Sequence, residues 1–341
     1  MSAQGLPVSP PLFKIVCPRR LVTGGPEAMH QLCQALNAQG LRAEMVYWPI
    51  AADNAAPEKF RHYAAPSSID LPDDPGVVVV LPETNTKLVW AFRRAQVLIW
   101  WLSVDNHFNA QAPSKWTKRI KRWLFTRLPS QREYAFQPRL RLQHAWQSEY
   151  ARQFLLKRSV PEPLALTDYV APALIPEEHQ IAVQGRRDQV LFNPAKGTAF
   201  NTRLQDACAS DRFEFVALKG YTSAQMAVLL TQAKVYIDFG EHPGRDRIPR
   251  EAAANGCVII TGRQGSAGNE IDVPIPYRYK IDDRTEDCVA QVRHLLHEVM
   301  ADAPRHQAEQ AALRAGIRLQ RSAFWAEAAA LGEHFTRQLA H

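Results

Sequence analysis

The chain has 341 residues, of which 46% are hydrophobic and 22% charged, and its formal net charge is +7 at pH 7. This length exceeds one ordinary core and suits two domains of average size. The balance of hydrophobic and charged residues excludes a disordered chain. The positive charge favours anionic partners such as nucleotides, phospholipids or nucleic acid.

The five cysteines are scattered and lack the spacing of zinc ligands. They argue against a disulfide framework and for a reducing compartment. The start, MSAQGLPVSPPLFKIV, lacks the basic-then-apolar layout of a signal peptide, and no apolar run approaches the roughly 20 residues that span a bilayer. We therefore expect a cytoplasmic location, with peripheral attachment to the inner face of a membrane as an option.

Strands and helices alternate along the first half. LFKIVCP (12–18) is a β-type apolar run, and Gly24 and Gly25 then precede a proline that suits a first helical turn. Further strands are predicted at 41–49, 76–83 and 95–103, a helix near 87–94, and a strand–helix pair at 140–158. This alternation implies βαβ units and a parallel sheet.

The second half repeats the alternation after a segment rich in Pro, Ala and Glu. Strands are predicted in DQVLFNP, FEFVAL, KVYIDFG and CVIITG, with helices after Gly197 and in SAQMAVLLTQA and PREAAANG. The chain from residue 286 onward is predicted to be helical. We predict an α/β protein with two Rossmann-like domains that face a cleft. The predicted parts are an N-terminal domain (1–165), a linker (166–185), a C-terminal domain (186–320) and a final helix (321–341), which has the option of packing on the N-terminal domain.

The loop FGEHPGRDRIPRE follows a buried strand and leads into a helix predicted to start near Pro249. A helix start attracts anions through its free N–H groups and its dipole, and guanidinium groups match phosphate oxygens. Lys196 follows another strand of the same half, and ligands bind at the carboxyl ends of such strands. The predicted donor-binding residues of this half are Lys196, Arg245, Arg247, Arg250 and Glu251. The alternative is an exposed loop whose arginines pair with its own carboxylates.

Three segments follow one another along the chain: TGGPEAMHQL, FNPAKG and DFGEHPGRDRIPREAAANGCVIITG. In the order of these segments the chain resembles GT-B glycosyltransferases, especially those of bacterial surface-polysaccharide synthesis. The resemblance covers the two-domain layout, and motif agreement is confined to these segments. It implies a nucleotide-sugar in the C-terminal domain and the acceptor in the N-terminal domain. It also implies that Lys196 contacts donor phosphates, that Glu251 binds ribose or sugar hydroxyls, and that Gly24 and Gly25 approach the reacting sugar.

The chain departs from this family at one position. Many retaining members carry two glutamates separated by seven residues, but Pro243 stands where the partner of Glu251 belongs. Glu241 lies two residues too early, so the resemblance implies neither retaining chemistry nor a catalytic role for Glu241.

Candidate bases follow a strand of the first half. Asp105 or His107 would take a proton from an acceptor hydroxyl, as an inverting transfer requires. Simple turn chemistry at Asp105 is the alternative. We interpret His30 as a surface residue of its helix and Glu27 as a complement to the helix dipole. The catalytic candidates are Asp105, His107 and Glu241.

PSKWTKRIKRWLFTRLP (113–129) has six basic residues, no acidic residue and apolar residues at helical spacing. Such a helix can lie on an anionic membrane, where each basic residue contributes on the order of 1 kcal/mol. A helix packed on its own domain is the alternative. Nucleic acid is not an expected partner, because no nucleic-acid-binding motif accompanies the charge. The predicted membrane-contact residues are Trp116, Lys118, Arg119, Lys121, Arg122 and Trp123.

The charged loops and the resemblance to GT-B glycosyltransferases together predict a glycosyltransferase that moves a sugar from a nucleotide-sugar to a glycan or lipid-linked acceptor in capsule, O-antigen or lipopolysaccharide synthesis. No cofactor is expected. We predict metal independence, because the aspartate pairs at 73–74 and 282–283 are typical of turns. Two alternatives are a nucleotide-sugar epimerase of the same architecture and a non-catalytic glycan-binding or assembly subunit. A dinucleotide-dependent oxidoreductase is disfavoured, because no GxGxxG follows the first strand.

Overall fold

The computed structural model describes residues 10–52, 54–111, 134, 136 and 139–339. The basic helix predicted at 113–129, including Trp116, Trp123 and the basic residues between them, lies outside these residues. Within the described part, every helix is too short or too polar to cross a bilayer.

The chain divides into two compact units. The first comprises residues 1–168 and 322–341, and the second comprises 169–321. The boundary at residue 168 falls inside the segment predicted as a linker, most of which belongs to the second unit.

The first unit contains a parallel sheet of six strands in the order β2-β1-β3-β4-β5-β6. Its strands are β1 (Leu12–Pro18), β2 (Arg42–Trp48), β3 (Val77–Pro82), β4 (Gln96–Trp101), β5 (Leu142–Trp146) and β6 (Leu164–Ala165). Its helices are α1 (Gly24–Ala38), α2 (Val104–Gln111) and α3 (Glu149–Leu156). The helix predicted near 87–94 is a 3-10 helix over Glu83–Ala91.

The second unit contains a parallel sheet of four strands in the order β10-β9-β7-β8. Its strands are β7 (Arg187–Phe192), β8 (Glu214–Ala217), β9 (Ala233–Asp238) and β10 (Val258–Thr261). Its helices are α4 (Thr198–Ala207), α5 (Ser223–Gln232), α6 (Arg247–Ala254), α7 (Cys288–Ala301) and α8 (Ala303–Glu309). The last helix, α9 (Ala311–Leu339), contributes residues to both units.

Local sequence explains these elements. β3 and β4 occupy the middle of their sheet and are buried throughout, so VVVVLP and QVLIWW show no alternation of polar and apolar residues. α3 begins after Ser148, whose Oγ accepts the N–H of Ala151 at 3.1 Å. α5 begins with a capping box between Thr222 and Gln225. The predicted α/β class with parallel sheets is confirmed.

His30 of α1 is buried, and the interpretation of it as a surface residue is wrong. Its Nδ1–H donates to the carbonyl oxygen of Pro26 at 2.7 Å, and its Nε2 accepts from the hydroxyl of Tyr47 at 2.8 Å. Its ring also packs on Phe60, with centroids 4.6 Å apart. Burial lowers the pKa of His30, so the histidine serves as a neutral core residue.

Two glycines allow the loops after β7 and β9 to touch. Gly197 has a φ of +54°, and a Cβ there would lie 2.6 Å from the carbonyl oxygen of Phe239. Gly240 has a φ of +97°, and a Cβ there would lie 2.8 Å from the backbone nitrogen of Gly197. Both the backbone conformation and the available space therefore require glycine at these positions.

We expect Gly197→Ala to destabilise the second unit by about 2–4 kcal/mol, the sum of a left-handed conformation and a clash with backbone that cannot move cheaply. Gly220→Ala is the matched control, since Gly220 has a φ of +80° but nothing within 4 Å of an added Cβ. Urea unfolding followed by circular dichroism measures both changes. Equal losses in the two variants would show that the contact between the loops contributes nothing.

Candidate functional site

The predicted charged residues of the second unit lie at the carboxyl ends of β7 and β9. These strands are neighbours, but β7 connects to β8 on one side and β9 connects to β10 on the other. Loops diverge where the strand order reverses in this way, and open parallel sheets bind ligands there. α4 and α6 begin directly after these two loops, so both direct their N-terminal N–H groups toward this edge of the sheet.

Lys196 is the centre of a compact charged cluster. Its Nζ lies 2.8 Å from Oδ1 of Asp238 and 2.7 Å from Oδ2 of Asp246. His242 completes the cluster: its Nδ1 lies 3.3 Å from Nζ of Lys196 and 3.1 Å from Oδ2 of Asp246. Nε2–H of His242 donates to the backbone carbonyl of Asp238 at 3.1 Å. We refer to Lys196, Asp238, His242 and Asp246 as the lysine cluster.

The three charged members of the lysine cluster have different pKa shifts. Burial disfavours the ammonium of Lys196, but Asp238 and Asp246 outweigh burial and hold its pKa above the ordinary value. Burial raises the pKa of Asp238, although Lys196 and His242 oppose this. Burial likewise works against the charge of Asp246, but a hydrogen bond from His242 and the charge of Lys196 hold its pKa below the ordinary value. Lys196 is thus a charged ammonium whose charge its neighbours already balance.

The ligand atoms of Asp238, His242 and Asp246 lie within 4.8 Å of one another, a spacing at which a cation could bind. The ammonium of Lys196 lies within 3.3 Å of all three side chains. A built-in cation therefore takes the position that a metal ion would need. Metal independence itself stays a prediction.

Arg250 is predicted to contact a diphosphate, but in the structure its guanidinium binds oxygen atoms of the protein itself. Its side chain is buried, and its guanidinium donates to the carbonyl oxygens of Asp246 and Arg245 at 3.1 and 2.9 Å and to Oε1 of Gln320 at 3.0 Å. These bonds tie the start of α6 to α9. We therefore remove Arg250 from the proposed donor-binding residues.

The other predicted residues of this loop are more accessible. Arg245 and Arg247 are both half-buried. Arg245 lies just before α6, and Arg247 is its first residue, so the helix begins two residues earlier than predicted. Nε of Arg247 lies 3.8 Å from Oε1 of Glu251, a weak ion pair along the helix. Glu251 is half-buried, and Glu241 is exposed.

The sequence-based prediction did not include two carboxylates of the site. Asp238 is the last residue of β9, and the one sign of its role in the sequence is that a polar residue ends the apolar run VYID. Asp283 lies in a turn, as the sequence predicts, and it has a further role that the pattern does not show. Its Oδ2 accepts the N–H of Gly240 at 3.2 Å and its Oδ1 accepts from Gln264 at 3.0 Å. Asp283 thereby links the loop after β9 to the loop after β10.

The first unit has a similar reversal of strand order between β1 and β3, and Gly24 and Gly25 begin α1 beside it.

The two candidate bases of the first unit differ in their surroundings. Asp105 is half-buried in α2 and accepts a hydrogen bond from the hydroxyl of Tyr150 at 3.3 Å. His107 is buried, and its Nδ1–H donates to the backbone carbonyl of Glu83 at 2.8 Å. Burial lowers the pKa of His107. This environment argues against the predicted role of His107 as a base in contact with an acceptor.

Glu27 has a further role besides its place in the first turn of α1. Its carboxylate is buried and accepts a hydrogen bond from the hydroxyl of Tyr63 at 2.9 Å. The helix dipole alone, which was the sequence-based explanation, therefore does not account for this residue.

No protein-family model matches the chain, and no curated protein is significantly similar to it in sequence. Solved structures are similar in fold. A glycosyltransferase from Rickettsia africae has a TM-score of 0.60 and 10% identity over 97% of this chain and 99% of that one. WaaG, a glycosyltransferase involved in lipopolysaccharide biosynthesis, has a TM-score of 0.55 and 11% identity over 95% and 100% of the two chains.

Alr3699/HepE from Anabaena, solved in complex with UDP, has a TM-score of 0.53 and 9% identity over 96% of this chain and 99% of that one. The similarity extends over nearly the whole length of each chain. The predicted GT-B fold is confirmed. Identities this low establish the fold alone.

Glu83 gives a pH-dependent prediction for the first unit. Burial raises its pKa from 4.5 to about 8, against the effect of the N–H groups of Leu102 and Ser103. Between these values the folded chain keeps a proton that the unfolded chain releases. The free energy of unfolding should therefore fall as the pH rises from about 4.5 to about 8, by up to about 1.4 kcal/mol per pH unit. Glu83→Gln should remove this dependence.

The six tryptophans among the described residues belong to the first unit, so urea unfolding followed by tryptophan fluorescence is used to report on that unit. The measurement compares the chain with Glu83→Gln at pH 5, 6, 7 and 8. Glu149→Gln, at the start of α3, is the control and should keep the original slope. An identical pH dependence in Glu83→Gln would show that Glu83 does not hold its proton in the folded chain.

Proposed function

We propose that the protein is a metal-independent glycosyltransferase that uses a nucleotide-sugar donor. One observation carries this proposal. The N-termini of α4 and α6 lie at the point where the strand order of the second sheet reverses, and the loops that lead into them carry Lys196, Arg245 and Arg247. Diphosphates are bound by such groups. The first turns of α4 and α6 contain no acidic residue, so the positive dipole ends are not neutralised from within these helices.

The structural similarities agree with this proposal. They link the fold of this chain to glycosyltransferases, one of which binds UDP and another of which acts in lipopolysaccharide biosynthesis. We propose a nucleoside diphosphate-sugar as the donor and a glycan or lipid-linked acceptor of the bacterial cell surface. The location remains a proposal as well, namely the cytoplasm, with contact between the 113–129 segment and an anionic membrane.

The chemistry needs stabilisation of the leaving diphosphate. Negative charge builds on it as the bond to the sugar breaks, and fixed cationic groups stabilise that charge without a metal. Arg245, Arg247 and the ammonium of Lys196 would supply these groups, and Glu251 would accept hydrogen bonds from ribose or sugar hydroxyls. Gly24 and Gly25 would leave space for the reacting sugar.

Asp105 is the better of the two proposed bases in the first unit, because it is half-buried whereas His107 is buried. A carboxylate within hydrogen-bond reach of an acceptor hydroxyl can take its proton as the bond to the sugar forms. Glu241 is exposed and remains a less specific proposal.

We expect Arg247→Ala to raise the dissociation constant of the donor about tenfold, because a charged hydrogen bond to the diphosphate is lost. Thermal shift against a panel of nucleoside diphosphates and nucleotide-sugars first identifies the ligand, and calorimetry then measures the affinity. Arg187→Ala is the matched control, since Arg187 is exposed at the amino end of β7. Equal affinities in Arg247→Ala and the unaltered chain would contradict the proposed diphosphate site.

The products separate the alternative functions. A transferase releases the nucleoside diphosphate only with an acceptor, or slowly to water. An epimerase converts the donor into a second nucleotide-sugar without any acceptor. A non-catalytic subunit binds no member of the panel.

A further inference from the structure

The two carboxylates that hold Lys196 differ in accessibility. The Asp238 side chain is 2% exposed, whereas the Asp246 side chain is 29% exposed. Lys196 lies between these extremes, with 20% of its side chain exposed. The ammonium therefore has one partner inside the core and one partner at the surface of the site.

The buried partner cannot leave the lysine cheaply. Asp238 ends a core strand, and removing its cation would leave a buried carboxylate without a counter-charge, which is strongly destabilising. The partly exposed partner can be replaced at lower cost, because Asp246 regains contact with water when it leaves the lysine, whereas Asp238 does not. A competing anion would thus displace Asp246 and leave Asp238 in place.

Asp246 also occupies an unusual position on α6. It is the N-cap residue, but its carboxylate does not accept any N–H group of the helix. Instead its Oδ2 faces Lys196 and His242. A carboxylate thus lies beside an ammonium and next to a helix N-terminus, where a phosphate would find its most favourable contacts.

We propose that Asp246 is an internal stand-in for the donor diphosphate, which replaces its carboxylate on Lys196 while Asp238 keeps the ammonium in position. This inference rests on the proposed function. It makes Asp238 a positioning residue and Asp246 a competitor that sets the affinity for the donor. The carboxylate of Asp246 already holds the ammonium of Lys196, so an anion binds well only after Asp246 turns away.

Asp246→Asn tests the competition. The amide keeps the size of the side chain, removes the negative charge, and can accept an N–H of α6 as an ordinary N-cap. We expect the dissociation constant of inorganic pyrophosphate to fall about threefold, the typical size of an accessible ion pair. Asp238→Asn should instead raise it about tenfold, because the ammonium loses its fixed partner. Calorimetry with the full chain at constant ionic strength measures both.

Asp211→Asn is the matched control for the change in net charge. Asp211 pairs with Arg293 at 2.8 Å and precedes β8, so it lies toward the amino ends of the strands, at the opposite edge of the sheet. This variant should leave pyrophosphate affinity unchanged. An equal gain in Asp211→Asn and Asp246→Asn would overturn the proposal, because a general charge effect would then explain both.

A combined variant tests whether Asp246 acts through Lys196. Lys196→Ala together with Asp238→Asn removes the ammonium without leaving a buried charged carboxylate unpaired. In that background, Asp246→Asn should no longer tighten pyrophosphate binding, since the two anions would have no ammonium to compete for. A gain that persists without Lys196, or weaker binding in Asp246→Asn alone, contradicts the proposal. Asp246→Ser, which also caps helices, gives the same test if the asparagine variant does not fold.

The two proposals fail in different ways. If the unaltered chain binds neither pyrophosphate nor any nucleoside diphosphate, the proposed function is wrong and this inference falls with it. If the unaltered chain binds a nucleoside diphosphate but Asp246→Asn does not tighten binding, only the stand-in role of Asp246 is wrong.

Discussion

The ion pair between Lys196 and Asp238 is the constraint on which the site depends. A carboxylate at the buried end of β9 needs a cation, and the chain supplies it from the loop after β7. This pairing fixes the two loops to each other at the reversal of strand order. The lysine must reach across a short distance, so the backbone of its loop has to approach the neighbouring loop closely.

That approach explains the glycines better than turn chemistry does. Gly197 and Gly240 contact each other through backbone atoms, and either Cβ would separate the loops. Gly265 likewise allows the loop after β10 to approach the loop after β9, because a Cβ at this position would collide with the carbonyl oxygen of His242. Three successive strand ends are thereby packed into one edge, and their polar groups are brought together.

Much of this arrangement could be predicted from the sequence, because hydrophobic periodicity and Gly or Pro punctuation mark the strands and helices directly. The place of Lys196 after one strand and of Asp246 after another followed from the same pattern. Burial of individual polar residues did not follow. Helical spacing shows which residues share a face, but it does not show that Tyr47 and Phe60 cover the face of α1 that carries His30.

The basic composition was the least reliable guide, because many cations serve the fold. Arg186 is buried and donates to the backbone carbonyls of Ala182, Leu230 and Ala233. Arg250 similarly joins the start of α6 to α9. A guanidinium satisfies several carbonyl oxygens at once while it keeps its charge, so an arginine in a charged loop can be structural.

What separates a binding cation from a structural one is an exchangeable partner. Of the cationic side chains in the lysine cluster and the first turn of α6, Lys196 combines a fixed buried carboxylate with an accessible one, and this asymmetry is what makes it suitable for exchange with a phosphate.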